Sequence, residues 1–124
     1  MGLYIYWDDQ QAHTIRVDVV GQWVWSDYHT QLGFFTDNMK DTIARACIID
    51  MRHTQTIPPQ NALNHMRQIL DETPALATII ISENPNIQEL LDVLKGAIPD
   101  AHLALKLVSS VNDAYELIEN HLKG

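Results

Sequence analysis

The chain has 124 residues, of which 46% are hydrophobic and 19% charged, and its net charge at neutral pH is −8. This length and composition predict one globular domain with its own core and exclude a disordered or fibrous chain. The acidic balance disfavours nucleic acid and anionic membranes as partners, because the eight basic residues are scattered and form no cluster.

Two β-strands are predicted at the start of the chain. Residues 3–7 form a short β-prone run, and residues 13–20 alternate apolar with polar side chains, which is typical of a strand with one buried face. A short polar loop that contains Asp8 and Asp9 joins the two runs. We therefore predict an antiparallel hairpin.

A first helix is predicted after Gly21. Ser26 is suited to cap its first turn, and the carboxylate of Asp27 would lie near the positive end of the helix dipole. Apolar side chains then recur every three or four residues from Tyr28 to Met39. This spacing predicts one apolar stripe of an amphipathic helix.

Apolar runs at residues 46–49 and 77–81 predict two buried strands, and residues 103–108 predict the last strand. A helix is expected after each strand. Pro58 and Pro59 favour the start of the first of these helices, because proline is well tolerated at the first helical position.

The two remaining helices also have start and stop signals. Asn84 and Pro85 favour the start of one helix, and Gly96 is placed to terminate it. Ser110 and Asp113 resemble a capping box at the start of the last helix.

The predicted order of elements is ββαβαβαβα. Strands that alternate with helices need crossover connections, so the later strands should form a parallel sheet with helices packed on it. We therefore predict an α/β domain over residues 1–124, with a five-stranded, mostly parallel sheet and an antiparallel strand at one edge.

Polar residues follow the predicted strands and nominate a binding site. They are Asp50, Arg52 and His53 after one strand, and Ser82 and Glu83 after the next. Ligands of open α/β sheets usually bind at the carboxyl ends of the strands, and Arg52 with the helix N-termini would suit a small anion. The alternative is that these residues only end strands and cap helices.

No motif for catalysis, metal or cofactor binding is evident. The six histidines form no pair at four-residue spacing, and Cys47 lies within an apolar strand, where a cysteine behaves as a small hydrophobic residue. We therefore predict a domain that is not an enzyme and that needs neither metal nor cofactor. A small hydrolase or isomerase that uses His53 and Glu83 is a weaker alternative.

Eight of the nine aromatic residues lie within the first 35 residues. They either fill the core between the hairpin and the first helix or form an exposed surface, for which Trp7 and Trp25 are the leading candidates. An exposed aromatic hairpin would suit a protein partner or a homodimer.

Several features favour a cytoplasmic protein. A lone cysteine cannot form a disulfide within the chain, which suits a reducing compartment. The first residues lack the basic and apolar stretches of a signal peptide, and no apolar run approaches the roughly 20 residues that cross a membrane.

The order of elements resembles that of the STAS domain of sulfate transporters and bacterial anti-sigma-factor antagonists. Residues 15–21 are similar to the second strand of that family and its closing glycine, residues 48–51 to its third strand, and residues 57–63 to the start of its second main helix. The similarity spans residues 3–122. It implies a regulatory module that docks a protein partner or a small anion near Arg52.

The sequence departs from that family at its phosphorylation motif. Anti-sigma-factor antagonists carry an Asp-Ser-Ser-Gly-like sequence whose serine is phosphorylated, whereas this chain has two prolines followed by Gln60 and Asn61. Thr54 and Thr56 are nearby hydroxyls that do not align with the serine. The resemblance therefore implies a STAS-like domain without this switch, with Gln60 and Asn61 in its binding site.

The sequence also resembles, more distantly, the receiver domain of response regulators. Asp8 and Asp9 follow the first strand, Asp50 and Ser82 follow later strands, and Lys106 lies in the last. This resemblance implies phosphoryl transfer to Asp50, with Asp8 or Asp9 holding magnesium. The additional hairpin strand and the place of Lys106 inside its strand depart from the receiver pattern.

Overall fold

A computed structural model describes residues 2–54, 57–97 and 105–121. Over these ranges the chain forms five strands and four helices. In chain order they are β1 (Gly2–Trp7), β2 (Thr14–Val20), α1 (Trp25–Met39), β3 (Ala46–His53), α2 (Ala62–Glu72), β4 (Thr78–Ile81), α3 (Pro85–Ala97), β5 (Leu105–Val108) and α4 (Val111–His121). None of the described helices is long and apolar enough to cross a membrane.

The strands form one mixed sheet in the order β1-β2-β3-β4-β5. β1 is antiparallel to β2, and β2, β3, β4 and β5 are parallel to one another. The α/β class and the mixed sheet with an antiparallel edge strand are therefore confirmed. Each parallel strand lies beside its predecessor, so right-handed crossovers place α1, α2 and α3 on the same face.

The main core lies between that face and the three helices. Alternate residues of the strands point into it and meet the apolar stripes of α1, α2 and α3. Its fully buried side chains include Ile15, Val17, Ile49, Ile80, Leu32, Met66 and Leu91. Cys47 is also in this core, 1% exposed, as its apolar strand predicts.

The opposite face of the sheet, which we call the α4 face, is covered by one helix. Ala114 and Ile118 of α4 pack on Ile48, Ile79 and Ile81, which belong to β3 and β4. Contacts of α4 reach β3, β4 and β5. The part of this face formed by β1 and β2 carries charged and phenolic side chains instead of an apolar cluster.

Two predicted helix starts are wrong. α1 begins at Trp25, so Ser26 lies inside its first turn, and no side chain caps the helix at Val24. α2 begins at Ala62, after Asn61 in the left-handed conformation with φ 55°. The prolines before it are held outside the helix, and the carbonyl of Pro58 accepts a hydrogen bond from a buried indole of α1.

Two predicted ends are also wrong. β3 continues to His53, because β2 runs beside it and the Gly21 amide donates to the His53 carbonyl at 2.9 Å. Asp50 and Arg52 therefore lie within the strand and do not follow it. Gly96 lies inside α3 and does not terminate it.

Trp7 and Trp25, the leading candidates for an exposed aromatic surface, differ. Trp7 is 43% exposed and lies 5.3 Å from the Phe35 ring, whereas Trp25 is only 5% exposed. The indole of Trp25 stacks on His65 at a centroid distance of 5.1 Å and donates to Pro58 at 2.8 Å. Of the two alternatives, Trp7 therefore fits the exposed surface and Trp25 fits the core.

Candidate functional site

Two adjoining depressions lie at the carboxyl ends of β3, β4 and β5. The smaller, of about 380 Å³, and the larger, of about 640 Å³, share Ser82, Glu83 and Ser109. Arg52 and Asn84 lie on the rim of the smaller depression, and Gln88 of α3 with one face of α4 forms the far wall of the larger. We call this combined surface the strand-end site.

The loop after β4 is fixed by local hydrogen bonds. The Ser82 amide donates to the Val108 carbonyl at 3.0 Å, which extends the pairing of β4 with β5. The Ser82 hydroxyl accepts a bond from the Asn84 amide at 3.0 Å, and the Asn84 side chain accepts one from the Asn86 amide at 2.9 Å. The second bond satisfies an unpaired amide in the first turn of α3, as an N-cap does.

The start of α4 shows one of the two bonds of the predicted capping box. The Ser110 hydroxyl accepts a bond from the Asp113 amide at 3.1 Å. The Ser109 hydroxyl in turn donates to the Asp113 carboxylate at 3.3 Å. These bonds orient Ser109 and Asp113 along the wall of the larger depression.

Asp50 lies beneath the rim and binds two arginines. Its side chain is 2% exposed, and Arg52 donates to both oxygens, at 3.0 Å from Nε and 2.8 Å from Nη2. Arg16 of β2 adds a third bond, at 3.0 Å. Burial acts to raise the pKa of Asp50, but the bonds and charges of Arg52 and Arg16 outweigh it and hold the pKa below its ordinary value.

Arg16 links the Asp50–Arg52 ion pair to the β1–β2 hairpin. Its Nε donates to Asp18 at 2.9 Å, and its Nη1 lies 3.6 Å from the buried Asp8 carboxylate. Tyr6 donates to Asp18, and Tyr115 of α4 donates to Asp8 at 2.9 Å. Burial and these carboxylates raise the pKa of each phenol to about 12.

The strand-end site is predominantly acidic. Glu83, Asp113 and Glu116 line the larger depression, whose lining includes no basic side chain among the described residues. The smaller depression holds Glu83 and Arg52, but the charge of Arg52 is already balanced by Asp50. The site therefore favours a cation or a hydrogen-bond donor more than an anion.

The structure brings together some of the predicted site residues. Arg52, Ser82 and Glu83 line the strand-end site, with Asp50 beneath them. His53, Gln60 and Asn61 are exposed and line neither depression. The register between β2 and β3 shifts after Asp18 and Asp50, and His53 pairs with Val20 beyond this shift.

Residues on two helices were missed by sequence reasoning. Gln88 of α3 and Asp113, Glu116 and Asn120 of α4 line the larger depression. The three residues of α4 recur at intervals of three and four, so they share one face of the helix. The pattern was available in the sequence, but nothing in it indicated that this face borders the ends of β4 and β5.

Thr54 and Thr56 are the hydroxyl residues near the position of the phosphorylation motif that this chain lacks. Thr54 is 6% exposed; its hydroxyl donates to the Gly21 carbonyl at 2.7 Å and accepts from the Trp23 indole at 3.2 Å. Both bonds tie Thr54 to the segment before α1. Thr56 lies outside the described residues.

Within the residues that the structure describes, no group of three or more histidine, cysteine, aspartate or glutamate side chains is arranged to hold a metal ion. No protein-family model, curated protein or solved structure matches the chain. Function is therefore inferred from the strand-end site itself.

Proposed function

We propose that this chain is a non-catalytic regulatory domain of STAS-like type, which docks a protein partner at the strand-end site. The supporting observation is the pair of depressions that share Ser82, Glu83 and Ser109 and have acidic walls. Clefts of this kind at strand ends are the usual binding sites of open α/β sheets. The partner segment that fits is basic, because lysine or arginine side chains would meet uncompensated carboxylates.

A small anion is the less favourable ligand. Arg52 is the basic side chain on the described rim, and its Nε and Nη2 donate to Asp50, which also balances its charge. An anion bound by the other donors of Arg52 would meet a neutralised ion pair and would lie close to the carboxylate of Glu83. Both effects oppose anion binding.

The alternative function, phosphoryl transfer to Asp50 as in a receiver domain, has weaker support. Asp50 is 2% exposed, and each of its oxygens accepts hydrogen bonds from arginine. A phosphoryl donor would need an exposed carboxylate oxygen. Arg16 also lies between Asp50 and Asp8, where that function would require magnesium.

The test compares basic peptides, acidic peptides of equal length, and inorganic phosphate or sulfate. Binding is mapped by shifts of backbone amide NMR signals. We expect basic peptides to shift the signals of Gln88, Glu83 and Ser109, and Glu83→Gln to weaken binding about three- to tenfold. Asp37→Asn is the matched control, because it removes one charge from an exposed residue near the end of α1, at the opposite edge of the sheet.

Two results would contradict the proposal. One is phosphate or sulfate binding at Arg52 that exceeds the binding of every peptide. The other is a gain of one phosphoryl group on incubation with acetyl phosphate and magnesium that Asp50→Asn abolishes, which would establish the receiver function instead.

A further inference from the structure

β1 is an edge strand without the usual protection. It pairs with β2 along all six of its residues, without a bulge, and no described strand lies on its other side. Its sequence, Gly-Leu-Tyr-Ile-Tyr-Trp, has no charge and no proline. Natural edge strands usually carry lysine, proline or a bulge, because their free N–H and C=O groups otherwise pair with another chain. β5, at the other edge, has four residues and includes exposed Lys106.

Exposed aromatic side chains flank this edge on both faces of the sheet. Tyr4 and Tyr6 lie on the α4 face and are 57% and 40% exposed. Trp7 lies on the other face beside Phe35, and Phe34 of α1 is 65% exposed. Given the size of aromatic side chains, β1 alone leaves on the order of 300 Å² of aromatic surface in contact with water.

We propose that two copies of this chain form a dimer by antiparallel pairing of β1 with β1 of the second copy. The two-fold axis would be perpendicular to the sheet, so each face of one sheet continues into the same face of the other. In the register centred on Ile5, Tyr4 of each copy faces Tyr6 of the other. Leu3, Ile5 and Trp7 face one another, so the strand is complementary to itself.

Charge also selects β1 as the contact. Each copy has a net charge of −8, so two copies repel one another over most of their surfaces. Two copies can approach one another with the least repulsion at β1, because this strand carries no charged residue. The exposed aromatic rings of β1 in two copies, together with the paired strands, approach the roughly 1,000 Å² that a specific interface needs.

The dimer goes beyond the proposed binding function and does not depend on it. β1 is separated from β4 and β5, which carry most of the strand-end site, by β2 and β3. Tyr4→Lys therefore tests the dimer without altering Glu83 or Ser109. A negative result in the dimer test therefore leaves the proposal of peptide binding at the strand-end site intact, and the reverse also holds.

The test is sedimentation equilibrium of the whole chain over about a hundredfold range of concentration around 10 µM. We expect the wild-type protein to be dimeric at the upper end and Tyr4→Lys to raise the dissociation constant at least tenfold, because it places a charge on each paired strand. Val93→Lys is the matched control: Val93 is 53% exposed on α3, and its substitution should leave the dimer intact.

A second measurement needs no variant. Hydrogen exchange of the β1 amides should accelerate when the wild-type protein is diluted below its dissociation constant, while β3 and β4 stay protected. A wild-type protein that is monomeric throughout contradicts the proposal, as does a dimer that survives in Tyr4→Lys. Equal loss of the dimer in Tyr4→Lys and Val93→Lys also contradicts it.

Discussion

Arg52 binds the carboxylate of Asp50, two residues earlier on the same strand, through both Nε and Nη2, at 3.0 and 2.8 Å. Residues two apart on a strand point to the same face, which allows this local pairing. Arg16 binds the same carboxylate from the neighbouring strand at 3.0 Å. One buried acid therefore holds two arginines at the boundary between the hairpin and the strand-end site.

Asp50→Asn should destabilise the fold by about 2–3 kcal/mol, because it removes the buried counter-charge of Arg52 and one of the three carboxylates around Arg16. Urea denaturation measures this as a lower midpoint with an unchanged slope. Asp18→Asn is the control: Asp18 also binds Arg16, but its side chain is 27% exposed, so the expected loss is about 1 kcal/mol or less. Equal losses in both variants would mean that Asp50 has no special role.

Acid should remove the contribution of Asp50. In the folded state its pKa lies below the ordinary value of 3.8, so the folded protein binds this proton less tightly than the unfolded chain. The stabilisation is therefore complete above about pH 4 and is lost as the pH falls through the folded-state pKa. The free energies of unfolding of wild type and Asp50→Asn, measured from pH 7 downwards, should converge below about pH 4. A constant difference would contradict the assignment.

Cys47 should be unreactive in the folded protein. Burial raises the pKa of its thiol to about 12, and the side chain is 1% exposed. At pH 8 the thiol is therefore protonated, and reagents in solution cannot reach it. A disulfide reagent such as DTNB should therefore react only as fast as the chain unfolds, and fully in guanidinium chloride. Rapid reaction of the native protein at pH 8 would show that β3 opens locally.

Two glycines should respond to alanine in opposite directions. A Cβ at Gly2 would lie 2.6 Å from the Val20 Cβ and 2.7 Å from the Val20 carbonyl oxygen, so Gly2→Ala should cost about 1 kcal/mol or more. A Cβ at Gly33, inside α1, meets no atom within 4 Å, so Gly33→Ala should stabilise by about 0.5–1 kcal/mol. Thermal unfolding of both variants tests the pair; a rise in Tm for Gly2→Ala would show that β1 is displaced from β2.

Local pattern was sufficient to predict most of the sheet. The alternation over residues 13–20 predicted β2, and the apolar runs around Ile48 and Ile79 predicted two covered strands. These patterns work because burial on one or two faces dictates side-chain polarity along a strand. The end of β3 was missed, since charged Asp50 and Arg52 signal a strand end unless the pairing of Asp50 with Arg52 and Arg16 is known.

The helix starts and part of the strand-end site were not predicted correctly, because contacts between residues far apart in the chain determine them. α2 starts at Ala62 because the preceding segment is held by Trp25, which is 33 positions away from Pro58 in the chain. The places of Ser82 and Glu83 in the strand-end site could be predicted, because both residues directly follow a strand that the sequence indicates. Glu116 could not, because its place depends on α4 packing on the face opposite the other helices.

The sequential order of the strands also bears on how the chain folds. Each parallel strand lies beside the one that precedes it in the chain, so the sheet can extend from an early β2–β3 pair by adding one neighbour at a time. Such an order pairs each strand with its neighbour in the chain, so the loops that must close are shorter than in a sheet with a shuffled strand order. Because α4 packs on β3, β4 and β5 together, it can dock only after the last of them is in place. We therefore expect closure of the second layer to follow formation of the β3–β4–β5 sheet, and its contacts to show low φ-values.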